Sequence, residues 1–266
     1  MNASLVDINK DGRLDLYVTV IDMFSKGLNY VLPNDNTIKN LDDRILKSAF
    51  YLSGNKLFLN TKSNGFLPVE SKYFGPVNKG WSWGAKFFDY DNDGNDDAYI
   101  TNGYIPGWWH GDQQNQFYLN IKNKFYHIKN HVSDESFKGN SRSVSAIDFA
   151  NKGKLDLLVS NYLKHPSLLV NKSNNHNNWI KVKLRGIKNN YFGIGSNVKI
   201  NINGKKSLVK AITCGSGYLS QNGNTLFFGL NKTKAIDSIE VIWPGGDKQM
   251  VQGPIKSNRT IIINES

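Results

Sequence analysis

The chain has 266 residues, of which 39% are hydrophobic and 21% charged, and carries a net charge of +11. That length suffices for two domains with cores of their own, and no apolar run approaches the roughly 20 residues of a membrane-spanning helix. The single cysteine, Cys214, excludes an internal disulfide and reads as a small buried residue.

The first informative segment is DINKDGRLD, beginning at Asp7. Asp7, Asn9 and Asp11 stand at alternate positions, Gly12 permits a tight bend, the Arg13 carbonyl offers an oxygen and Asp15 closes the loop. Such an all-oxygen set suits a hard cation, and calcium takes about 6–8 oxygen ligands. The run LDLYVTV that follows is β-prone, and the twelfth loop position is Val18 rather than the Glu of an EF-hand. The expectation is a calcium loop that leads into a strand; the alternative is a metal-free Asp/Asn/Gly turn. Residues 22–50 form a polar insertion, with a helix predicted over NLDDRILKSAFYL, and LFLNTKSNGFLPV from Leu57 reads as a strand, an Asn turn and a second strand.

The loop recurs as DYDNDGNDD, placing Asp89, Asp91, Asp93, the Asn95 carbonyl and Asp97 around Gly94, with Ile100 at the twelfth position. Carboxylates crowded into one turn repel one another unless a cation sits among them, so two matches favour two calcium sites. GYIPGWWHGDQQNQ then places Trp108, Trp109 and His110 on a Gly/Pro-rich loop, where they either stack on a sugar or fill space between strands; Trp81 and Trp83 are assigned to packing. FYLNIKNKFYHI from Phe117 repeats the strand–Asn–strand phrase.

A third copy, DFANKGKLD from Asp148, keeps Asp148, Gly153 and Asp156 but has Ala150 and Lys152 at two ligand positions. It is predicted to be metal-free, with the Lys152 ammonium folding in to neutralise the aspartates. LLVNKSNNHNNW from Leu168 again follows. Repeats of roughly sixty residues built from short strands indicate propeller blades.

The last third holds six short runs: NWIKVKLRG, SNVKINING, KKSLVKAIT, TLFFGL, SIEVIWP and TIIINE. Their alternation of apolar and polar residues predicts a compact antiparallel β-sandwich. Asn203-Gly204 predicts a hairpin and Pro244-Gly245-Gly246 a turn. The boundary is placed in the polar stretch near Asn174, giving residues 1–173 to the blades and 174–266 to the β domain. From Asn178 onward the charge is +9, against +2 for the rest. Such a domain suits an anionic polysaccharide or cell surface, but Lys181, Lys183, Arg185, Lys199, Lys205, Lys206 and Lys210 read equally as a solvated strand face. No sequence for specific nucleic-acid binding accompanies them, and no catalytic or nucleotide motif appears.

The repeats resemble FG-GAP/VCBS blades, the calcium-loop units of integrin-type propellers, and GWSWGAKFFDYDNDGNDDAYITNG from Gly80 is similar to blades of the cartilage acidic protein-like family. FGIGSNVKI, GSGYLSQN, LFFGL and IEVIWPGG resemble the ASPIC/UnbV domain that follows such propellers. The resemblance implies an all-β chain: a partial propeller of about three blades, then a small β domain. Three blades do not close a propeller, so the chain is expected to be the C-terminal part of a longer protein. The function it implies is a calcium-stabilised, secreted or periplasmic binding or adhesion module with a protein or glycan ligand. The alternatives are a calcium-dependent enzyme acting on polysaccharide, or a scaffold part of a larger protein.

Overall fold

The structure is a computed structural model and describes residues 2–20, 54–63, 65–69, 80–103, 114–129, 140–204 and 206–266. The predicted helix of the 22–50 insertion and the loop with Trp108, Trp109 and His110 lie outside the described residues. Among the described residues every element is a strand.

The first blade sheet comprises β1 (Ala3–Val6), β2 (Asp15–Val18), β3 (Lys56–Thr61) and β4 (Gly65–Pro68), in that order across the sheet. The second repeats it with β5 (Ser82–Phe88), β6 (Asp97–Asn102), β7 (Gln116–Ile121) and β8 (Lys124–His127). The third has β9 (Ser141–Ile147), β10 (Asp156–Asn161) and β11 (Ser167–Leu169). All pairings within these sheets are antiparallel.

Each acidic loop is the hairpin between the first two strands of its sheet, in one shared register. Val6 pairs with Asp15, Phe88 with Asp97 and Ile147 with Asp156. The recurring Asn of the second phrase has an equally constant role. The backbone N–H groups of Asn60, Asn120 and Asn171 donate to Asp15, Asp97 and Asp156 at 2.8, 2.8 and 2.7 Å. Their side-chain amides donate to the carbonyls of Leu14, Asp96 and Leu155, the residues just before those aspartates. The last Asp of each loop therefore ties the hairpin to the strand that follows, a role Asp156 keeps in the copy that carries Ala150 and Lys152.

The C-terminal part stacks two sheets. One orders β15 (Thr225–Asn231), β12 (Asn178–Arg185) and β18 (Arg259–Asn264); the other orders β14 (Lys206–Ala211), β13 (Asn197–Ile202), β16 (Ala235–Ile242) and β17 (Lys248–Lys256). Alternate residues of both face inward around Ile180, Val182, Ile200, Phe228, Ile239, Val241 and Trp243, as burial of apolar area demands. Asn203 and Gly204 adopt φ of 51° and 63°, the left-handed pair of the predicted hairpin turn.

Two expectations are corrected here. The sandwich is not wholly antiparallel, because β12 and β18 run parallel: only Ser257 and Asn258 separate β17 from β18, so the chain changes sheet without reversing beside β12. A seventh strand, β17, is also present. Its sequence, KQMVQGPIK, lies on a largely exposed sheet edge and carries little apolar alternation.

The two parts share a core. Phe88, Tyr99, Phe117, Val144, Leu155, Leu157 and Val159 of the second and third blades pack with Phe227 of β15, and Trp179 of β12 borders them. Trp179 stacks on Phe227 at 5.9 Å. Trp83 has the packing role expected of it: its ring meets the Arg142 guanidinium at 4.3 Å and Tyr218 at 5.0 Å.

Candidate functional site

The second acidic loop is the most concentrated arrangement of charge. Asp89 accepts the backbone N–H of Asp93 at 3.1 Å and of Gly94 at 2.8 Å, which folds the loop back on its first residue. Asn92 and Gly94 take positive φ, 59° and 86°, to complete the turn. Asp97 accepts from Tyr90 and Asn120, both at 2.8 Å. One carboxylate oxygen from each of Asp89, Asp91 and Asp97 lies within 4.8 Å of the others. Asp89 is 1% and Asp97 3% exposed. Burial pushes both carboxyls well above the usual range, and neighbouring carboxylates (Asp96 and Asp93 on Asp89, Asp89 and Asp91 on Asp97) push in the same direction, opposed on Asp89 by the Lys210 ammonium. Asp91 is raised for the same reasons, with Asp93 as its neighbour.

Buried acid groups converging from one turn stay ionised only beside a compensating cation and otherwise take up protons. The donor set is all oxygen, without His or Cys, and fits a hard dication rather than zinc. Not every predicted ligand joins the group. Asp93 turns to the Asn95 backbone N–H at 2.6 Å and to the Asn95 side-chain amide.

The first loop has the same backbone and a different charge pattern. Asp7 accepts from Asp11 at 3.1 Å and Gly12 at 3.0 Å, Asn9 accepts from Asp11 at 3.2 Å, and Asp15 accepts from Ile8 at 2.9 Å. Burial raises the Asp7 carboxyl to about 6, with Asp11 and Asp15 adding to the effect, and burial also raises Asp15. The Arg13 side chain, of which the sequence said nothing, brings its guanidinium onto the Asp11 carboxylate and donates through Nε to the Asn60 carbonyl at 2.8 Å. Asp7, Asp11 and Asp15 do not form a converging group of the kind seen in the second loop. The two loops meet where Lys10 contacts the Asn95 side chain.

In the third loop the internal cation is not Lys152, as the sequence predicts, but Lys181. Asp148 accepts the backbone N–H groups of Lys152 and Gly153 at 2.8 and 2.7 Å, but the Lys152 residue is exposed. The ammonium that meets Asp148 belongs to Lys181 of β12, at 2.6 Å from Oδ2 and 2.7 Å from Asn151 Oδ1. Lys210 of β14 does the same for Asp96, at 2.5 Å. Two lysines grouped from sequence with a solvated face thus point at the blades. Nothing in the local sequence of β12 or β14 sets them apart from their neighbours; the only available hint was a basic segment following acidic repeats.

The second loop is also where the two parts of the chain meet. Its carbonyls at Asp91 and Asn92 accept from Asn177 Nδ2 and the Asn231 backbone N–H of the C-terminal part at 2.9 and 2.8 Å, while its Tyr90 carbonyl accepts from Asn171 Nδ2 of the third blade at 2.7 Å. Gly229 of β15 lies so close that a Cβ there would stand 2.0 Å from Asp89 Oδ2. A cleft of about 420 Å³ runs beside this contact, lined by Leu5, Lys86, Phe88, Lys210, Cys214 and Phe227 among others. Burial, followed by the nearby Lys210 charge, lowers the Lys86 amine to about 8. Cys214 is exposed, not buried as expected, because it sits on the loop after β14 and not on a strand.

Comparison with known proteins agrees with this architecture. Residues 186–266 match the profile of the family described as ASPIC and UnbV. Over 132 residues the chain is 32% identical to cartilage acidic protein 1 of Xenopus tropicalis, an alignment covering 47% of this chain and 20% of that protein. The match thus spans about a fifth of the relative's length. Blade sheets thus lead into a C-terminal domain that is similar, over residues 186–266, to the ASPIC and UnbV family.

Proposed function

We propose that this chain is a calcium-stabilised interaction module working outside the cytoplasm, with FG-GAP/VCBS-type blades whose calcium is structural. The observation that carries the reading is the converging Asp89, Asp91 and Asp97 group, buried at the contact between blades and C-terminal domain. These three residues would hold the ion, and the ion would supply the positive charge that permits their burial. The first loop is a second, weaker site, because Arg13 must release Asp11 before that carboxylate can turn to a metal. The third loop binds no metal, since Lys181 neutralises Asp148.

Secretion or a periplasmic address follows from the same chemistry: calcium-loop modules of about 10⁻⁴–10⁻³ M affinity fill at extracellular calcium levels. The partner is a protein or glycan, including anionic polysaccharide or cell surface drawn by the +9 domain. The similarity to a cartilage protein is compatible with such a matrix-type partner.

The test is a calcium titration by calorimetry, with thermal melting followed in calcium and in chelator. At about 100-fold excess over Kd, one site stabilises by about 2.7 kcal/mol, a rise in Tm of about 5–10 °C at this size. Asp91→Ala should remove the tighter site. No heat and no change in Tm would refute the reading.

A further inference from the structure

We propose that the cation of the second loop controls docking of the ASPIC/UnbV domain on the blades, with Lys181 as a built-in cation doing the same at the third loop. The inference rests on the calcium reading of the second loop.

Docking withdraws carboxylates from water at two places. At the second loop Gly229 backs directly onto Asp89, which is left 1% exposed. At the third loop Trp179 packs over Gly153, where a Cβ would stand 1.7 Å from its Nε1, and the Asp148 side chain is left 5% exposed. Withdrawing a carboxylate from water is unfavourable unless a positive charge accompanies it. At the third loop the incoming domain brings that charge, since Lys181 lies on β12. At the second loop Lys210 arrives likewise, but its ammonium is bonded to Asp96, while Asp89, Asp91 and Asp97 converge on one another. A divalent ion among those three removes the penalty for covering them.

The ion also fixes the surface that the domain recognises. Asp91 and Asn92 follow the first ligand, and their carbonyls accept the hydrogen bonds from Asn177 and Asn231 of the C-terminal part. Those carbonyls are presented together only when Asp89 holds the turn through Asp93 and Gly94. Linkage makes the effect reciprocal: if calcium favours docking, docking tightens calcium.

Lys181 separates coupling from direct contact, because it touches the third loop and not the second. The experiment measures calcium affinity by calorimetry, and the radius of gyration by small-angle scattering in calcium and chelator, for wild type and Lys181→Met. Phe227→Ala, which weakens the shared apolar core without touching a carboxylate, serves as a second variant should the first fail to fold. Expected are a calcium affinity about tenfold weaker in the variants and a chelator-dependent expansion that calcium reverses. Calcium heat with wild-type affinity in both variants would overturn the coupling and leave the metal site standing. Absence of calcium heat in the wild type would overturn both.

Discussion

Lys181 on β12 and Asp148 in the third blade loop form an ion pair of 2.6 Å across the contact between the two parts of the chain, with side chains 10% and 5% exposed. Both charges are largely removed from water, and the pair is completed by Asn151 Oδ1 and two backbone amides. Removing one member of a buried pair leaves the other uncompensated, at a cost of about 3–5 kcal/mol. Lys181→Met should therefore lower Tm markedly, whereas Lys152→Ala, at an exposed position, should leave the stability within about 0.5 kcal/mol of wild type. Differential scanning calorimetry on the two variants distinguishes the lysines, and equal effects would contradict the assignment.

Gly229 is required by contact rather than by backbone conformation. A methyl group there meets Asp89 Oδ2 at 2.0 Å and the Asn92 backbone at 2.5 Å. Overpacking of this kind costs about 1–3 kcal/mol. Gly229→Ala is expected to shift the denaturation midpoint in urea by that amount. Gly223→Ala, which meets nothing within 4 Å, should not shift it. Identical midpoints would show that β15 does not press on the loop.

Glu265 gives the clearest pH dependence outside the acidic loops. Burial pushes its carboxyl up, but the backbone N–H groups of Ile187, Lys188 and Asn189, at 2.7, 2.8 and 3.0 Å, together with the Asn189 side chain, prevail and hold it at about 2, below the usual 4.5. A carboxyl lowered on folding stabilises the native state at pH above its unfolded value, and that contribution is lost as pH falls from about 4.5 to about 2. Glu265→Gln should be less stable than wild type at pH 7 and converge with it near pH 2. A gap in Tm that does not change with pH would contradict this.

The repeating order of the blades was legible because it rests on local chemistry. A leading and a closing Asp, a Gly with positive φ and a following β-prone run form the same hairpin three times, and the order survives where Ala150 and Lys152 replace the acidic residues of the third loop. The recurrence of Asn60, Asn120 and Asn171 was visible as a phrase, but their bonds to Asp15, Asp97 and Asp156 were not, since those aspartates precede them by 45, 23 and 15 residues. Strand β17 escaped because an exposed edge needs no apolar face. The parallel pairing of β18 escaped because alternation does not encode direction.

The sequence by itself determined the all-β character, the three acidic hairpins, the C-terminal β domain and the oxygen-only chemistry of the loops, all of which depend on residues within a few positions of one another. Only the tertiary structure decided which charges meet. It placed Lys181 rather than Lys152 on Asp148, turned the Arg13 side chain to Asp11, and gathered Asp89, Asp91 and Asp97 beneath Gly229. The reason is physical: a carboxylate is neutralised by whichever cation packing brings within about 3 Å, and long lysine and arginine side chains arrive from strands distant in the chain.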